Sequence, residues 1–197
     1  EAGEGTTLIM VVVAFCALAG KKRKERVLCV LALFLAYGVP NALSSASDWR
    51  VGFVNVGHGD ATVLCGPEST LVVDGGKETD GWYRVLRKVR RTGCAGKVHL
   101  VVSHGDADHA SGLLAVMERL PVKSLMLGRS ASMSTAMVQL MTLAVMKKVP
   151  LDVLEYGEGR SLGPNAILKV VGPSPRLSAE STTSNDNSLV FLVRLWG

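Results

Sequence analysis

Apolar and polar positions divide the chain into two parts with different patterns. Residues 6–20 and 27–43 form two nearly continuous apolar runs, separated by the charged hexapeptide KKRKER at 21–26. From residue 48 onward, short β-rich runs alternate with helical periodicity and with turn residues. The pattern predicts an apolar head at 1–47 and one soluble domain at 48–197.

The soluble part follows the order of a layered α/β protein. We expect strands at 51–56, 62–65, 71–73, 98–102, 124–127, 151–155, 166–171 and 188–195, and helices at 82–91, 111–119 and 135–148. The first three strands follow one another quickly, as in a meander, and the later ones alternate with helices. This order favours a layered α/β sandwich.

The apolar head is typical of a transmembrane helical hairpin with spans at about 6–20 and 27–43. The first run would reach about 22 Å as a helix, against a hydrocarbon core of about 30 Å, and the second is near the lower limit for a span. One span with an interfacial segment and a processed signal are the alternatives. The chain opens with Glu1 rather than Met, so we expect a fragment of a larger membrane protein.

Composition and charge support this division. The chain has 197 residues, 48% of them hydrophobic, and its mean hydropathy of +0.28 excludes disorder. Residues 21–26 carry five of the 22 Lys and Arg against one acid, so much of the net charge of +5 lies beside the apolar runs. By the positive-inside rule this hexapeptide stays in the cytoplasm. We therefore expect a cell-membrane protein whose soluble domain is extracytoplasmic.

Two of the four cysteines fall in the soluble part. Cys16 and Cys29 lie in the apolar runs, whereas Cys65 and Cys94 lack the CxxC spacing of a zinc site. A disulfide between Cys65 and Cys94 is permitted outside the cytoplasm, but nothing in the sequence places them together. We expect them to be unpaired.

Candidate chemistry concentrates in SHGDADHASG at 103–112, directly after a predicted buried strand. His104, Asp106, Asp108 and His109 are all good metal ligands, and a loop at the end of a strand lets them converge. His104 and Asp106 can bind one divalent cation, and Asp108 and His109 a second, so that the pair activates water for hydrolysis. The alternative is a solvated acidic loop with helix-capping residues.

The same segment resembles the HxHxDH signature of the metallo-β-lactamase superfamily, with Asp106 at the second histidine position. FVNVGHGDA at 53–61 is similar to the DVGQGDA turn of the ComEC competence proteins, the DNA-uptake channels of transformable bacteria. VDGG at 73–76 and NDNSLV at 185–190 resemble two further elements of that family. The resemblance implies the N-terminal part of an αββα sandwich, two bound metal ions and DNA as a partner at an uptake channel.

The resemblance also gives roles to residues outside the cluster. Asp60 either supports the metal ligands, caps its turn or binds metal directly, and a ligand role for His58 is doubtful because relatives have Gln there. Asp74 either orients a ligand or caps its turn. Asn185 and Ser188 either donate hydrogen bonds to the substrate or stabilise the start of the last strand.

Two departures from the superfamily pattern affect the expected chemistry. The chain ends at residue 197, where the strand leading to a further bridging Asp would begin, so we expect the domain to be incomplete at its C-terminus. Asp106 in place of His favours Mn²⁺ or Mg²⁺ without excluding Zn²⁺. Asp108 and His109 are the expected catalytic pair, because they would hold the ion that carries the attacking water.

The predicted helix at 82–91 is strongly basic. Arg84, Arg87, Lys88 and Arg91 share one face at helical spacing, with no aromatic residues interleaved. We expect Arg87 and Arg91 to contact phosphates of the substrate, and a solvated helix face is the alternative.

Two classes of function remain. The favoured one is a two-metal phosphodiesterase that degrades one DNA strand beside a membrane channel, without a nucleotide cofactor. The other is a non-catalytic module that binds DNA or supports channel assembly. Hydrolysis of a lactam or another small ester is disfavoured by the membrane hairpin and the basic helix.

Overall fold

The computed structural model describes residues 49–77, 81–91, 94, 96–129, 133–176, 183 and 185–196. All of them belong to the compact unit Asp48–Gly197. The predicted membrane spans at 6–20 and 27–43 lie outside the described residues. Within the described ranges, no helix combines the length and apolar character needed to cross a membrane.

The described chain forms nine strands, three α-helices and one 3-10 turn. In chain order they are β1 (Arg50–Phe53), β2 (Thr62–Cys65), β3 (Ser69–Val73), α1 (Gly81–Arg91), β4 (Lys97–Val102), α2 (Ala107–Arg119), β5 (Val122–Gly128), α3 (Thr135–Met146), β6 (Leu151–Leu154), β7 (Gly159–Gly163), β8 (Ala166–Gly172), the 3-10 turn (Asn185–Asn187) and β9 (Val190–Leu195).

The strands form two sheets. Six strands pair in the order β1-β2-β3-β4-β5-β6, where β1 to β3 are antiparallel and β3 to β6 are parallel. The second sheet is antiparallel, in the order β7-β8-β9. Parallel strands need crossover connections, and α1, α2 and α3 supply them.

Successive residues of the central strands supply two separate cores, as the alternation of side chains along a strand requires. Val72, Leu100 and Leu125 pack with the three helices on one face of the large sheet. Leu71 and Val101 pack on the other face against the second sheet. The described residues therefore form helix, sheet and sheet layers, which agrees with the predicted α/β sandwich.

Some boundaries differ from the prediction. Strand β1 ends at Phe53 rather than at residue 56, because the Asn55 side chain accepts a hydrogen bond from Gly57 N at 3.1 Å and the chain turns there. Helix α3 ends at Met146, and Lys148 has a φ of +57°. Strand β7 was not predicted, because Leu162 is the one buried residue in its sequence GRSLG.

The prediction that Cys65 and Cys94 are unpaired is wrong. The two cysteines form a disulfide with a Cα–Cα distance of 5.2 Å. Helix α1 crosses from β3 to β4 while packing against β2, so its end lies beside the end of β2. Sequence spacing carries no information about that crossing.

Candidate metal centre

The predicted site residues meet at one edge of the large sheet. Asp74 follows β3 and Ser103 follows β4, and parallel neighbours bring their carboxyl ends to the same edge. An open cavity of about 560 Å³ lies there, lined by Asp60, Asp74, Ser103, His104, Asp106, Asp108, His109, Asn185 and Ser188. Eight of these nine residues are site residues predicted from the sequence.

The metal cluster is part loop and part helix, which corrects the expectation of a loop throughout. Helix α2 begins at Ala107, so Asp108 and His109 lie in its first turn. The sequence pattern placed the start of this helix at residue 111, where the apolar periodicity begins. The residues of the true first turn are polar and do not show that periodicity. Asp106 occupies the N-cap position, yet its side chain makes no capping hydrogen bond. This removes the capping explanation for Asp106.

Asp74 is the buried centre of the hydrogen-bond network, with 4% of its surface exposed. Its carboxylate accepts hydrogen bonds from Ser103 N at 2.8 Å, from Ser103 Oγ at 2.6 Å and from His109 Nδ1 at 2.9 Å. A φ of +57° turns the chain sharply at Asp74, and its own N–H donates to Val101 O at 2.9 Å. The hydrogen bonds of the Asp74 side chain thus reach Ser103 and His109, as the ligand-orienting role requires, rather than its own turn.

One carboxylate orients both histidines, His109 directly and His104 through Ser103. An ionised Asp74 only accepts, so the proton it shares with His109 must lie on His109 Nδ1. The Ser103 hydroxyl donates to Asp74, so its oxygen can accept from His104 Nδ1 at 3.1 Å, and Ser188 Oγ lies 3.3 Å from the same nitrogen. With these hydrogen bonds, the neutral form of each imidazole has its lone pair on Nε2.

The free Nε2 atoms face carboxylates. His104 Nε2 lies 3.5 Å from Asp106 Oδ2, and His109 Nε2 lies 4.0 Å from Asp108 Oδ2. The two rings are close neighbours, with centroids 4.0 Å apart. The cluster therefore contains two His–Asp pairs side by side, grouped as the sequence predicted.

These pairs fit a divalent cation as partial sites. Two donor atoms each about 2.1 Å from one tetrahedral ion are about 3.4 Å apart. The 3.5 Å spacing of His104 and Asp106 is close to this value, and the 4.0 Å spacing of His109 and Asp108 is wider. Histidines that bind metal characteristically donate their other N–H to an oxygen, as both do here. Among the described residues, however, no group of three or more His, Cys, Asp or Glu is arranged to hold one ion.

Without metal, the environment of His109 favours its protonated form. The hydrogen bond to Asp74 raises the pKa of His109 above its usual value, and the negative charges of Asp74, Asp108 and Asp60 act in the same direction. Partial burial opposes this by disfavouring the charged imidazole. Cation binding at Nε2 must therefore compete with a proton, and metal affinity falls as the pH is lowered.

The glycine-rich turn at 57–60 packs directly on the start of α2. Gly59 has a φ of +83°, and a Cβ atom there would lie 1.8 Å from the carbonyl oxygen of Asp108. Asp60 places its side chain in the cavity lining, whereas His58 is exposed and outside the lining. The turn hydrogen-bonds through the His58 carbonyl, which accepts from Lys77 N at 3.1 Å.

The segment at 185–190 connects the cavity to the second sheet. Asn185 and Ser188 line the cavity, and Leu189 N donates to Ser103 O at 2.7 Å. Ser134, the N-cap of α3, donates from its hydroxyl to the Gly105 carbonyl. Sequence reasoning assigned no role to Ser103, although its position between a buried strand and His104 could have suggested one.

Arg87 and Arg91 do not line the cavity of the metal cluster, and their contact with substrate phosphates stays a prediction. The four cations predicted to share a face are divided. Arg84 donates to Asn55 O at 2.8 Å, and Lys88 lies against Gly52 of β1. Arg87 and Arg91 lie instead in a groove towards α2.

The family model described as the metallo-beta-lactamase superfamily matches residues 54–191 of the sequence. The chain belongs to the metallo-β-lactamase superfamily. The match includes the turn at 57–60, the His–Asp cluster and the segment containing Asn185 and Ser188. No curated protein matches the chain.

Several solved structures are similar to this chain. The metallo-β-lactamase SMB-1 bound to 2-mercaptoethanesulfonate is 22% identical over 64% of this chain and 54% of its own, with a TM-score of 0.46. The native metallo-β-lactamase FEZ-1 of Legionella gormanii is 16% identical, over 64% and 50%, with a TM-score of 0.45. The diiron β-hydroxylase CmlA of Streptomyces venezuelae is 14% identical, over 77% and 28%, with a TM-score of 0.48. The chain spans about half the length of the two β-lactamases.

Proposed function

We propose that this chain is the metal-dependent hydrolase domain of a membrane DNA-uptake protein and cleaves phosphodiester bonds in DNA. The observation that carries the hydrolase part is the pair of histidines whose Nδ1 atoms are hydrogen-bonded and whose Nε2 atoms face Asp106 and Asp108. The DNA part rests on the ComEC-like motifs at 53–61, 73–76 and 185–190.

His104 and Asp106 would hold one divalent cation, and Asp108 and His109 a second. When bound, such a pair of ions supplies Lewis-acid stabilisation of phosphate oxygens and activates water as the nucleophile. We propose Mn²⁺, Mg²⁺ or Zn²⁺, because the set combines imidazole with carboxylate donors.

The other cavity residues would prepare the site and position the substrate. Asp74 holds His109 directly and His104 through Ser103, so that in the neutral imidazoles both Nε2 lone pairs would face the cation sites. Asn185 and Ser188 also line the cavity, where an amide and a hydroxyl can donate hydrogen bonds to phosphate oxygens. Asp60 adds a further carboxylate to the lining, available to a cation or to its water shell.

A non-catalytic role is the second candidate, favoured by one observation. Each cation would find only one histidine and one aspartate in its pair, and no described group of three potential ligands is arranged to hold an ion. A domain with incomplete sites would bind DNA or support assembly of a channel without cleaving.

The two candidates differ in metal content and turnover. We would load the purified chain with Mn²⁺ or Zn²⁺, measure bound metal by elemental analysis and follow cleavage of a labelled oligonucleotide. Asp108→Asn and His109→Ala should each lower metal content and abolish cleavage, whereas His58→Ala, the change of an exposed histidine outside the cavity, should alter neither. Metal binding without cleavage would support the non-catalytic role, and cleavage unaffected by Asp108→Asn would refute the proposed site.

A further inference from the structure

A second concave surface lies between α1 and α2, away from the metal cluster. It is a groove of about 330 Å³ lined by Tyr83, Leu86, Arg87, Arg90 and Arg91 of α1 and by Arg119 of α2. We call it the arginine groove. It shares no lining residue with the cavity that contains the metal cluster.

The arginine groove concentrates positive charge with little internal compensation. Arg87, Arg90 and Arg91 are exposed, and among the described residues none of the three forms an ion pair. Arg119 contributes a fourth guanidinium from a different helix and pairs with its neighbour Glu118 at 3.1 Å. A concave surface lined by four guanidinium groups attracts anions strongly.

The favourable interaction of cations with a helix C-terminus explains part of this charge but not all of it. Arg90 and Arg91 lie in the last turn of α1, where cations interact favourably with the helix dipole. Arg119 lies in the last turn of α2, where the same interaction applies, whereas Arg87 lies further from the end of its helix. The helix dipoles do not explain why arginines of two helices converge on one groove. Such a groove suits a ligand with several negative charges, because the planar guanidinium group binds phosphate oxygens in a bidentate manner.

The groove also contains an exposed aromatic ring. Tyr83 has 56% of its surface exposed and lines the groove together with the arginines. The sequence analysis found no aromatic residue interleaved with the cations, whereas the groove brings Tyr83, one helical turn before Arg87, beside them. An exposed ring beside a row of arginines is the arrangement on which single-stranded nucleic acids stack their bases while their phosphates are neutralised. In a duplex the bases are already stacked and do not offer a free face to Tyr83.

We propose that the arginine groove is a binding site for single-stranded nucleic acid, separate from the metal cluster. Arg87 and Arg91 contact successive phosphates, with Arg90 and Arg119 beside them, and Tyr83 stacks on one base. The floor of the groove is Leu86, which is buried and offers no apolar side chain for insertion into a lipid bilayer. The groove is therefore better suited to a polyanion with aromatic rings than to a membrane surface.

Binding at the groove needs neither metal nor cleavage, so it can be tested independently of the proposed function. We would measure fluorescence anisotropy of a labelled oligothymidine of 12 nucleotides with the full chain in EDTA. Arg87→Gln with Arg91→Gln should weaken binding at least tenfold. It should also reduce the slope of log K against log salt concentration by about 1.4, because each lost phosphate contact with a single strand contributes about 0.7.

A control variant removes equal charge elsewhere. Lys169→Gln with Arg194→Gln changes two exposed cations of the second sheet, and binding should stay within twofold of the unmodified chain. Equal loss in this control would reduce the effect to net charge and overturn the proposal. Circular dichroism confirms that each variant is folded.

The aromatic contact has its own test. Tyr83→Leu should weaken binding of oligothymidine but not of an abasic oligomer of equal length, while Tyr83→Phe keeps the ring and should bind as the unmodified chain does. A duplex bound as tightly as the single strand would overturn the proposed stacking. If Arg87→Gln with Arg91→Gln lost binding to vesicles of phosphatidylglycerol and phosphatidylcholine but kept binding to oligothymidine, the groove would be a membrane contact and the proposal would be wrong.

Discussion

Asp74→Asn tests how far the Asp74 carboxylate contributes to the stability of this domain and how far to its ability to bind metal. Asparagine preserves the size of the side chain and tolerates the φ of +57° better than most residues. Its amide oxygen can keep the hydrogen bond from Ser103 N, and the Ser103 hydroxyl can rotate to accept from the new NH₂ group. The NH₂ group cannot accept the proton of His109 Nδ1.

The expected consequence is a change of tautomer. Either His109 loses its hydrogen bond, or its proton moves to Nε2 and Nδ1 becomes the acceptor, and in that form Nε2 cannot bind a cation. Loss of a hydrogen bond to a charged acceptor costs about 1.5 to 3 kcal/mol of stability. Changes to groups that orient a metal ligand typically lower metal affinity by about 10 to 100-fold. The pKa of His109 should fall, because its hydrogen bond to Asp74 raises it in the native protein.

Three measurements test this reasoning. Urea denaturation in EDTA gives the stability, isothermal titration with Mn²⁺ or Zn²⁺ gives the affinity, and long-range proton–nitrogen correlation spectra of the imidazoles give the tautomer. Asp74→Ala is the harsher comparison, because it also leaves Ser103 N without its acceptor. Unchanged metal affinity together with an unchanged His109 tautomer in Asp74→Asn would refute the role assigned to this carboxylate.

Three further predictions concern the frame around the site. Gly59→Ala should destabilise the fold by at least about 2 kcal/mol more than Gly57→Ala. Both glycines have a positive φ, but only Gly59 has backbone atoms within 4 Å of an added Cβ. Equal effects of the two substitutions in urea denaturation would show that the contact with α2 is unimportant. Reduction of the Cys65–Cys94 disulfide, which closes a loop with a sequence separation of 29, should cost about 3 to 4 kcal/mol; an unchanged melting temperature in dithiothreitol would contradict this. Burial lowers the pKa of His99, and Lys123 and Lys97 act in the same direction. His99 therefore binds a proton more readily in the unfolded chain, and the stability of the fold falls as the pH drops through about 6.5. His99→Gln should flatten that part of the pH–stability curve, and an identical curve would exclude His99 as its source.

Most of the site could be predicted because its residues lie where strands end. Asp74 and His104 each follow a strand that reads clearly from its β-branched and leucine residues, and parallel pairing then brings those ends together. The grouping of Asp106 with His104 also followed from spacing. Sequence alone did not show that Asp74 controls both histidines, because the connection passes through the Ser103 hydroxyl.

The errors share a physical origin in the tertiary arrangement. The disulfide depends on how α1 crosses β2, and the division of the basic face depends on which neighbours α1 meets on each side. Helical periodicity placed Arg84 and Arg87 together, yet Arg84 donates to Asn55 O just after β1, whereas Arg87 lines the groove towards α2. Strand β7 was missed because a strand with one buried residue has almost no alternation to detect.

The hydrogen bonds that build the cavity have a consequence for the order of folding. Asp74 and Ser103 are 29 positions apart, Asp74 and His109 are 35 apart, and Ser188 and His104 are 84 apart. Contacts between such distant residues form slowly, because a long loop must close before any of them is made. During synthesis the helices and parallel strands are complete while the wall formed by 185–189 is still missing. The nascent domain thus passes through a stage in which His104 still lacks Ser188, and a metal ion captured at that stage would meet a cavity without Asn185 and Ser188.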